Sequence, residues 1–200
     1  MLNQFKNSAP PTVLNLLIIN SLGLMATSLF PVLNYYLGLH TLNSQGFMPY
    51  QVVSYMFLHG DLSHLFFNMF ALWMFGRTLE YDLGSKRFLT YYMVCGVGAA
   101  LLQLAIGLIY PFSLTVGASG AVFGLLLAFG VLHPNVTIML LIPPIPIKAK
   151  WFVVIYGALE LFLGWRNSPM DNVAHFAHVG GMLWGLGLLY YWKMKRKIWF

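Results

Sequence analysis

The chain has 200 residues, of which 59% are hydrophobic and only 8% are charged. Soluble domains carry about 25% charged residues, so this composition excludes a soluble globular protein and predicts an integral membrane protein. The formal net charge of +6 does not indicate a nucleic-acid partner, because the basic residues lie between apolar blocks and at the C-terminus, as membrane topology favours. We therefore expect the chain to lie in a lipid bilayer and not to bind nucleic acid.

The apolar residues are gathered into six segments of near-spanning length. Because a bilayer core about 30 Å thick takes about 20 helical residues, each segment is a candidate transmembrane helix. The predicted helices cover about 13–37, 63–81, 88–110, 118–132, 149–165 and 173–192. No small-residue cleavage site follows the first segment, so we do not expect a signal peptide. The sequence predicts an all-α membrane protein with six transmembrane helices in a single domain, 1–200.

Two connecting stretches differ in composition from the helices. Residues 38–62 combine polar residues with the turn formers Asn43, Gly46 and Pro49, which predicts a long outer loop, partly embedded in the membrane, between helices 1 and 2. Residues 141–147 contain three prolines, which exclude a helix and predict a stiff connector. The single cysteine, Cys95, lies in an apolar run and is interpreted as a core residue.

The distribution of basic residues predicts the orientation in the membrane. With six spans, both ends of the chain lie on the same side. Lysine and arginine are enriched in cytoplasmic loops, and of the predicted loops and ends only the turn with Arg166 carries a basic residue on the opposite side. Both termini are therefore predicted to be cytoplasmic, and the turn before residue 118 faces outward.

One stretch, residues 115–124, places a serine among glycines. On a helix, Gly117, Gly120 and Gly124 would leave one face without side chains, and such a face by itself indicates helix packing. The stretch is not the nucleophile elbow Gly-x-Ser-x-Gly, because Ala121 occupies the position of the last glycine. A catalytic role for Ser119 requires a base elsewhere in the chain.

The predicted topology brings several polar side chains to the same depth near the outer face. Polar groups within a membrane are costly to bury and tend to face one another, so their convergence predicts a functional site. A serine nucleophile needs a base and donors for the oxyanion, which histidine, asparagine and backbone amides supply. No acid is an evident third member, so we predict a dyad. For Glu160, inside the fifth span, a functional role and pairing with a neighbouring helix both stay open. The converging residues are His64, Asn68, Ser119, His175 and His178.

These residues lie in segments that resemble the rhomboid family of intramembrane serine proteases. The matching stretches are 49–59, 64–68, 80–84, 117–120 and 177–181, in the order of the family, and the resemblance extends over about 49–190. It implies a rhomboid-like six-helix bundle. It also implies that Ser119 is the nucleophile, that His178 is the general base, and that His64, Asn68 and the Ser119 backbone amide form the oxyanion hole.

The resemblance also assigns supporting roles. His178, rather than His175, matches because Gly181 and Gly185 follow it at the family's spacing. These glycines would let the sixth helix pack against the glycine face of the fourth. His59 matches a histidine that orders the outer loop, and Glu80 a glutamate that anchors the turn after the second helix. Two positions depart from the pattern. Tyr50-Gln51 stands where many members have Trp-Arg, which bears on how the outer loop is anchored, and Phe123 stands where some have tyrosine, which keeps a ring that can pack on His178.

The resemblance predicts cleavage of transmembrane substrates near the outer face, in the cytoplasmic membrane of a bacterium, with no metal or cofactor. Two alternatives stay open. One is a haem- or metal-binding membrane protein with His64, His175 and His178 as ligands, since histidines on facing helices commonly form such sites. The other is a catalytically inactive relative that binds membrane clients. The sequence does not indicate the oligomeric state or the identity of the substrate.

Overall fold

The computed structural model describes residues 10–110, 114–140, 144–166 and 174–195. Within these ranges the protein is mostly helical, with nine α-helices and one two-stranded hairpin. The elements are α1 (Pro11–Leu29), α2 (Val32–Leu37), α3 (Gln51–Ser54), α4 (Leu62–Ala71), α5 (Arg77–Leu83), α6 (Ser85–Gly107), α7 (Ser119–Leu132), β1 (Thr137–Met139), β2 (Pro146–Lys148), α8 (Ala149–Arg166) and α9 (His175–Met194).

Two of these helices are extended by turns of a different pitch. A 3-10 turn, Tyr55–Phe57, follows α3, and a wider π turn, Leu72–Gly76, joins α4 to α5. The residues on both sides of the π turn keep helical backbone angles, so α4, the π turn and α5 form one continuous rod. The rod therefore carries two helical halves whose faces are offset at the wider turn.

The helices overlap all six predicted segments, but the first prediction is wrong in extent. The segment 13–37 is not one helix, because α1 ends at Leu29 and Pro31 precedes the short α2. A proline inside a helix removes a hydrogen-bond donor and clashes with the preceding turn. The helix therefore breaks at Pro31. In the described ranges, two helices are long and apolar enough to cross a membrane by length and composition, Pro11–Leu29 and Ser85–Gly107, while Ser119–Leu132 is apolar but shorter.

The outward faces of the helices are apolar. On α1, Ile18, Leu22 and Met25 are about half exposed, and on α8 Val154 and Phe162 are similarly exposed. Contiguous exposed apolar surface of this kind marks contact with another apolar phase. The observed surface agrees with the membrane environment predicted from composition.

Pro146, the last of the three prolines in 141–147, begins strand β2, which was not predicted from the sequence. Strands β1 and β2 pair antiparallel, with Thr137 opposite Lys148 and Met139 opposite Pro146. Proline is tolerated because a two-stranded ribbon consists of edge strands only. Residues 141–143 lie outside the described residues, so the predicted connector is described only in its second half.

Helices α6, α7 and α9 pack through glycines at the centre of the molecule. A Cβ added at Gly181 of α9 would overlap the backbone carbonyl of Gly120 in α7, so these helices touch backbone to backbone. Gly185 faces α6 instead, where an added Cβ would overlap the Tyr91 hydroxyl group. Cys95 is fully buried in this core, which confirms its interpretation as a core residue. The predicted contact of α9 with α7 is thus made at Gly181 but not at Gly185.

Candidate active site

Ser119 is the first residue of α7, and the strand-like segment before it is held on both sides. The backbone groups of Thr115 and Leu39 exchange two hydrogen bonds of 2.9 Å, and the Gly117 N–H donates to the carbonyl oxygen of Tyr55 at 2.9 Å. The Tyr55 hydroxyl in turn donates to the carbonyl oxygen of Gly96 in α6 at 2.8 Å. The outer loop and α6 together therefore fix the position of Ser119.

Gly117 lies before the helix, not on it, which corrects the prediction of a three-glycine helix face. Its φ of 129° belongs to the region that favours glycine. An added Cβ would lie 2.8 Å from both Cε1 and Nε2 of His64 and 3.7 Å from the Ser119 Oγ. The glycine is therefore needed for its backbone angle and for the space between His64 and Ser119.

The structure brings Ser119 and His178 into hydrogen-bond contact. The Ser119 Oγ lies 2.8 Å from Nε2 of His178, which sits in the first turn of α9. The Phe123 ring, one turn along α7, stacks on the imidazole with a centroid distance of 4.2 Å and an interplanar angle of 8°. The stacking on Phe123 fixes the orientation of the imidazole plane, and the hydrogen bond directs Nε2 toward Ser119.

The other ring nitrogen of His178 has an acidic partner, contrary to the sequence interpretation. Its Nδ1 lies 2.8 Å from Oε2 of Glu160 in α8, and Nδ1 of His175 lies 2.6 Å from the same oxygen. All three side chains are buried. The expectation that no acid reaches the site is therefore wrong, because the fifth predicted span approaches α9 at the level of the histidines.

His64 and Asn68 lie on α4, facing the same cavity as Ser119. The Asp61 carboxylate caps α4 by accepting from the His64 backbone N–H at 2.8 Å. The Gly60 N–H donates to Nδ1 of His64 at 3.4 Å. This bond favours the tautomer that carries its proton on Nε2, on the side of the ring that faces Gly117. The Asn68 amide donates to the His64 carbonyl oxygen at 2.9 Å, which uses one of its two N–H groups.

A cavity of about 1080 Å³ connects these groups. It lies between α4, α7, α8 and the hairpin, and most of its wall is apolar. The polar part of the wall includes His64, Asn68, Ser119 and His178, and the apolar part includes Phe123 and Ile138. The cavity is large enough for several residues of an extended peptide beside Ser119.

His59 and Glu80 occupy structural positions. The His59 ring is buried, 5.0 Å from the His64 ring in an edge arrangement, and within the described part of the chain its ring nitrogens have no hydrogen-bond partner. Burial lowers the pKa of His59 to about 4. Glu80 accepts from the backbone N–H groups of Thr12 at 3.0 Å and Val13 at 2.8 Å and from the Ser85 hydroxyl at 2.7 Å. It therefore joins the start of α1 to the turn after α5.

Gln51 anchors the outer loop, a role that was not predicted from the sequence. Its Oε1 accepts from the backbone N–H groups of His40 at 3.3 Å and Met48 at 3.1 Å. Its Nε2 donates to the carbonyl oxygens of Gly46 at 2.8 Å and Tyr36 at 3.0 Å. An amide offers both donors and acceptors, so this buried glutamine joins three points of the loop to Tyr36 of α2 without a charge.

The described residues offer one group that could bind a metal ion, namely Glu160, His175 and His178, whose ligand atoms lie within 4.8 Å of one another. The group includes two of the three histidines of the metal-binding alternative and lacks His64. Each donor atom already takes part in a hydrogen bond within the group. A divalent cation would have to displace the protons on both Nδ1 atoms.

The fold and the site together define a helical membrane protein in which a half-buried serine lies beside two buried histidines and a buried carboxylate. A sequence profile described as Rhomboid domain matches residues 46–195. The chain therefore belongs to the rhomboid family of integral membrane proteins, which confirms the resemblance found in the sequence.

Several curated proteins are similar to this chain. It is 31% identical over 157 residues to Rhomboid protein 1, mitochondrial, of Saccharomyces cerevisiae, covering 74% of this chain and 42% of that protein. It is 35% identical over 146 residues to RHOMBOID-like protein 2 of Arabidopsis thaliana, covering 70% and 41%. It is 30% identical over 151 residues to Rhomboid-like protease 3 of Toxoplasma gondii, covering 74% and 54%.

The chain thus spans only about half the length of these relatives, or less. All three are eukaryotic, and one is mitochondrial by name. They give no support to the predicted bacterial cytoplasmic membrane. What family membership establishes is an integral membrane protein.

Proposed function

We propose that this protein is an intramembrane serine endopeptidase that cleaves transmembrane substrates through Ser119 and His178. The observation that carries the proposal is the 2.8 Å contact between Ser119 Oγ and His178 Nε2, beside a cavity of about 1080 Å³. A serine and a histidine in this contact have the arrangement of a nucleophile and its base. Family membership and the similarity to Rhomboid-like protease 3 support the same reaction class.

In the first half of the reaction, the Ser119 oxygen attacks the substrate carbonyl carbon while its proton moves to Nε2 of His178. The π electrons of the carbonyl move onto its oxygen and form the oxyanion. As the C–N bond breaks, His178 returns the proton to the leaving amine, which leaves an acyl ester on Ser119. In the second half, water attacks this ester, His178 takes the water proton, and the acid product leaves as Ser119 regains its proton.

In this mechanism the oxyanion is stabilised by hydrogen-bond donors that line the same cavity as Ser119. Nε2 of His64 carries a proton and lies beside Gly117, and the second N–H of Asn68 is available in the same cavity. The N–H of Ser119 itself has no carbonyl partner within α7, because it lies in the first turn of that helix. Such donors contribute more in an apolar, water-poor site than they would in water.

The substrate is a transmembrane segment that unwinds before it is cut. The carbonyl groups of a helix are already hydrogen-bonded, so a peptide bond reaches Ser119 only in extended form. The apolar wall of the cavity fits the side chains of such a segment. In this proposal the chain crosses the membrane six times, both termini are cytoplasmic, and Ser119 lies near the outer face.

The proposed test uses the full chain in liposomes with a fluorescent transmembrane reporter. Ser119→Ala and His178→Ala should each lower cleavage to background, and Ser119→Ala should also abolish labelling by a serine-directed fluorophosphonate probe. Asp82→Asn serves as a matched control, because Asp82 pairs with His133 at the other end of α7. Undiminished cleavage by Ser119→Ala would exclude the mechanism, whereas correct folding with no cleavage by the unmodified chain would favour the client-binding alternative.

The metal-binding alternative rests on the group Glu160, His175 and His178. It predicts a stoichiometric metal in the purified protein and loss of function with a chelator. The protease mechanism predicts that a chelator leaves cleavage unchanged. Metal analysis together with a cleavage assay in the presence and absence of the chelator therefore separates the two.

A further inference from the structure

Glu160 is a buried acid that the Ser119–His178 mechanism does not use. Only 6% of its surface is exposed, whereas its apolar neighbours Leu159 and Leu161 are 44% and 52% exposed. The helix therefore turns its one carboxylate inward and its apolar residues outward. A charge buried in this way is costly unless it is paired and hydrogen-bonded, so its partners determine its role.

The packing of α8 on α9 directs this carboxylate to the histidines. Gly157, Glu160 and Gly164 are spaced by three and four residues and share one face of α8. An added Cβ at Gly157 would lie 3.0 Å from the Met182 side chain, and one at Gly164 would lie 3.3 Å from the Cβ of His175. The two glycines allow α8 to approach α9 above and below Glu160. The carboxylate consequently reaches both Nδ1 atoms.

We propose that Glu160 is a positioning residue for His178 and completes a Ser119–His178–Glu160 relay, an inference that rests on the proposed protease function. An ionised carboxylate only accepts hydrogen bonds, so each Nδ1 that contacts its Oε2 carries a proton. His178 with its proton on Nδ1 leaves Nε2 unprotonated, 2.8 Å from the Ser119 hydroxyl. Glu160 thereby selects the tautomer that can accept the serine proton.

The same contact acts again when the proton has moved. After His178 takes the serine proton its ring is a cation, and the negative carboxylate 2.8 Å away stabilises it. The carboxylate itself takes no proton, and the proton on Nδ1 stays there throughout. His175 donates to the same Oε2 and holds the carboxylate in place from the other side. Phe123 and Glu160 together leave the His178 ring little freedom to rotate.

A purely structural role for Glu160 would be to join α8 to α9 through its two histidine contacts. The two roles predict different results for His175. If Glu160 only joins the helices, loss of the His175 contact at 2.6 Å should harm the protein about as much as loss of the His178 contact. If Glu160 positions His178, removing His175 should leave most of the activity, because the contact with His178 persists.

The experiment compares Glu160→Gln, Glu160→Asp and His175→Phe in the full chain. Asp82→Asn is the matched control, because it also replaces a carboxylate that contacts a histidine, His133 at 2.7 Å, but lies away from the site. Replacing the acid of a serine-protease triad by its amide lowers kcat by up to about 10⁴-fold, so Glu160→Gln should lower kcat by about 100-fold or more with KM changed by less than about threefold. Fluorophosphonate labelling of Ser119 should slow in parallel. Glu160→Asp keeps the charge, so its kcat should be about tenfold higher than that of Glu160→Gln. His175→Phe should retain at least about tenfold more activity than Glu160→Gln, and Asp82→Asn should match the unmodified chain.

The inference is overturned if Glu160→Gln keeps kcat within about threefold of the unmodified chain, or if His175→Phe loses as much as Glu160→Gln. Where Glu160→Gln does not accumulate in folded form, Glu160→Met, which removes the carboxylate at similar volume, takes its place, and a kcat within about threefold of the unmodified chain in that variant overturns the inference. Failure of the relay is distinguishable from failure of the proposed function. In the first case Ser119→Ala is inactive and Glu160→Gln is active, and in the second Ser119→Ala remains active.

Discussion

The glycine at position 181 offers a direct test of how helix contact produces the site. In Gly181→Ala the new methyl group would overlap the backbone carbonyl of Gly120, which cannot rotate away as a flexible side chain can. Helices α7 and α9 must therefore separate by on the order of 1 Å to restore van der Waals contact. Ser119 and His178, which these helices carry, are 2.8 Å apart, and the same separation would take them beyond hydrogen-bond distance.

The expected effect is larger on activity than on folding. Overpacking of this kind costs about 1–3 kcal/mol of the free energy of unfolding. A misplacement of about 1 Å between reacting groups can lower the rate by about 100-fold, so kcat for the reporter should fall by that order. The variant is measured in liposomes for cleavage and in detergent for thermal unfolding.

Gly187→Ala is the matched control, because Gly187 lies on the same helix and a Cβ there meets no atom within 4 Å. It should leave kcat unchanged and raise stability by about 0.5–1 kcal/mol through helix propensity. A folded Gly181→Ala protein with the kcat of the unmodified chain would refute the reasoning, since it would mean that close backbone contact is not what positions the serine and the histidine.

Two further predictions concern the outer loop. Gln51→Leu removes four hydrogen bonds from the buried loop anchor and should lower the free energy of unfolding by about 2–4 kcal/mol. Tyr50→Phe removes one exposed hydrogen bond and should lower it by about 0.5 kcal/mol. Equal thermal unfolding temperatures of the two variants would contradict the assignment of Gln51 as the anchor. The pKa of His59 is lowered to about 4, so the unfolded chain binds a proton on this residue between pH 6.5 and 4 while the folded chain does not. Stability should therefore fall as the pH falls through this window, by roughly 3 kcal/mol, and His59→Phe should remove that part of the fall. An unchanged pH dependence of thermal unfolding in His59→Phe would count against the buried neutral imidazole.

The positions of the helices follow from composition, because apolar segments long enough to cross a bilayer are rare in other folds. Their breaks depend on single residues. Pro31 lies inside the first apolar segment and ends its helix, and the signal was present in the sequence. The β1–β2 hairpin left no comparable signal, since its strands are three residues each and one of them begins with proline.

Ser119 and His178 could be selected from the sequence because the resemblance covers both, and the structure brings them together. Glu160 could not, because its partners lie on another helix and no spacing along the chain relates it to them. The one local signal was the shared face of Gly157, Glu160 and Gly164, which indicates close packing but not the neighbour. Gly117 was assigned to the helix because periodicity does not reveal where a helix begins, and its φ of 129° became apparent only in three dimensions.

The π turn between α4 and α5 has a consequence for the second half of that rod. His64 and Asn68 in its first half face the cavity, while Glu80 in its second half must meet the backbone of Thr12 and Val13 at the start of α1. The extra residue in the wide turn sets the angle about the rod axis between the side chains of α4, which face the cavity, and Glu80 of α5, which faces α1. Deleting one residue there would rotate α5 by about 100° relative to α4 and carry Glu80 away from α1. The number of residues in the π turn is therefore more tightly constrained than the identity of its side chains.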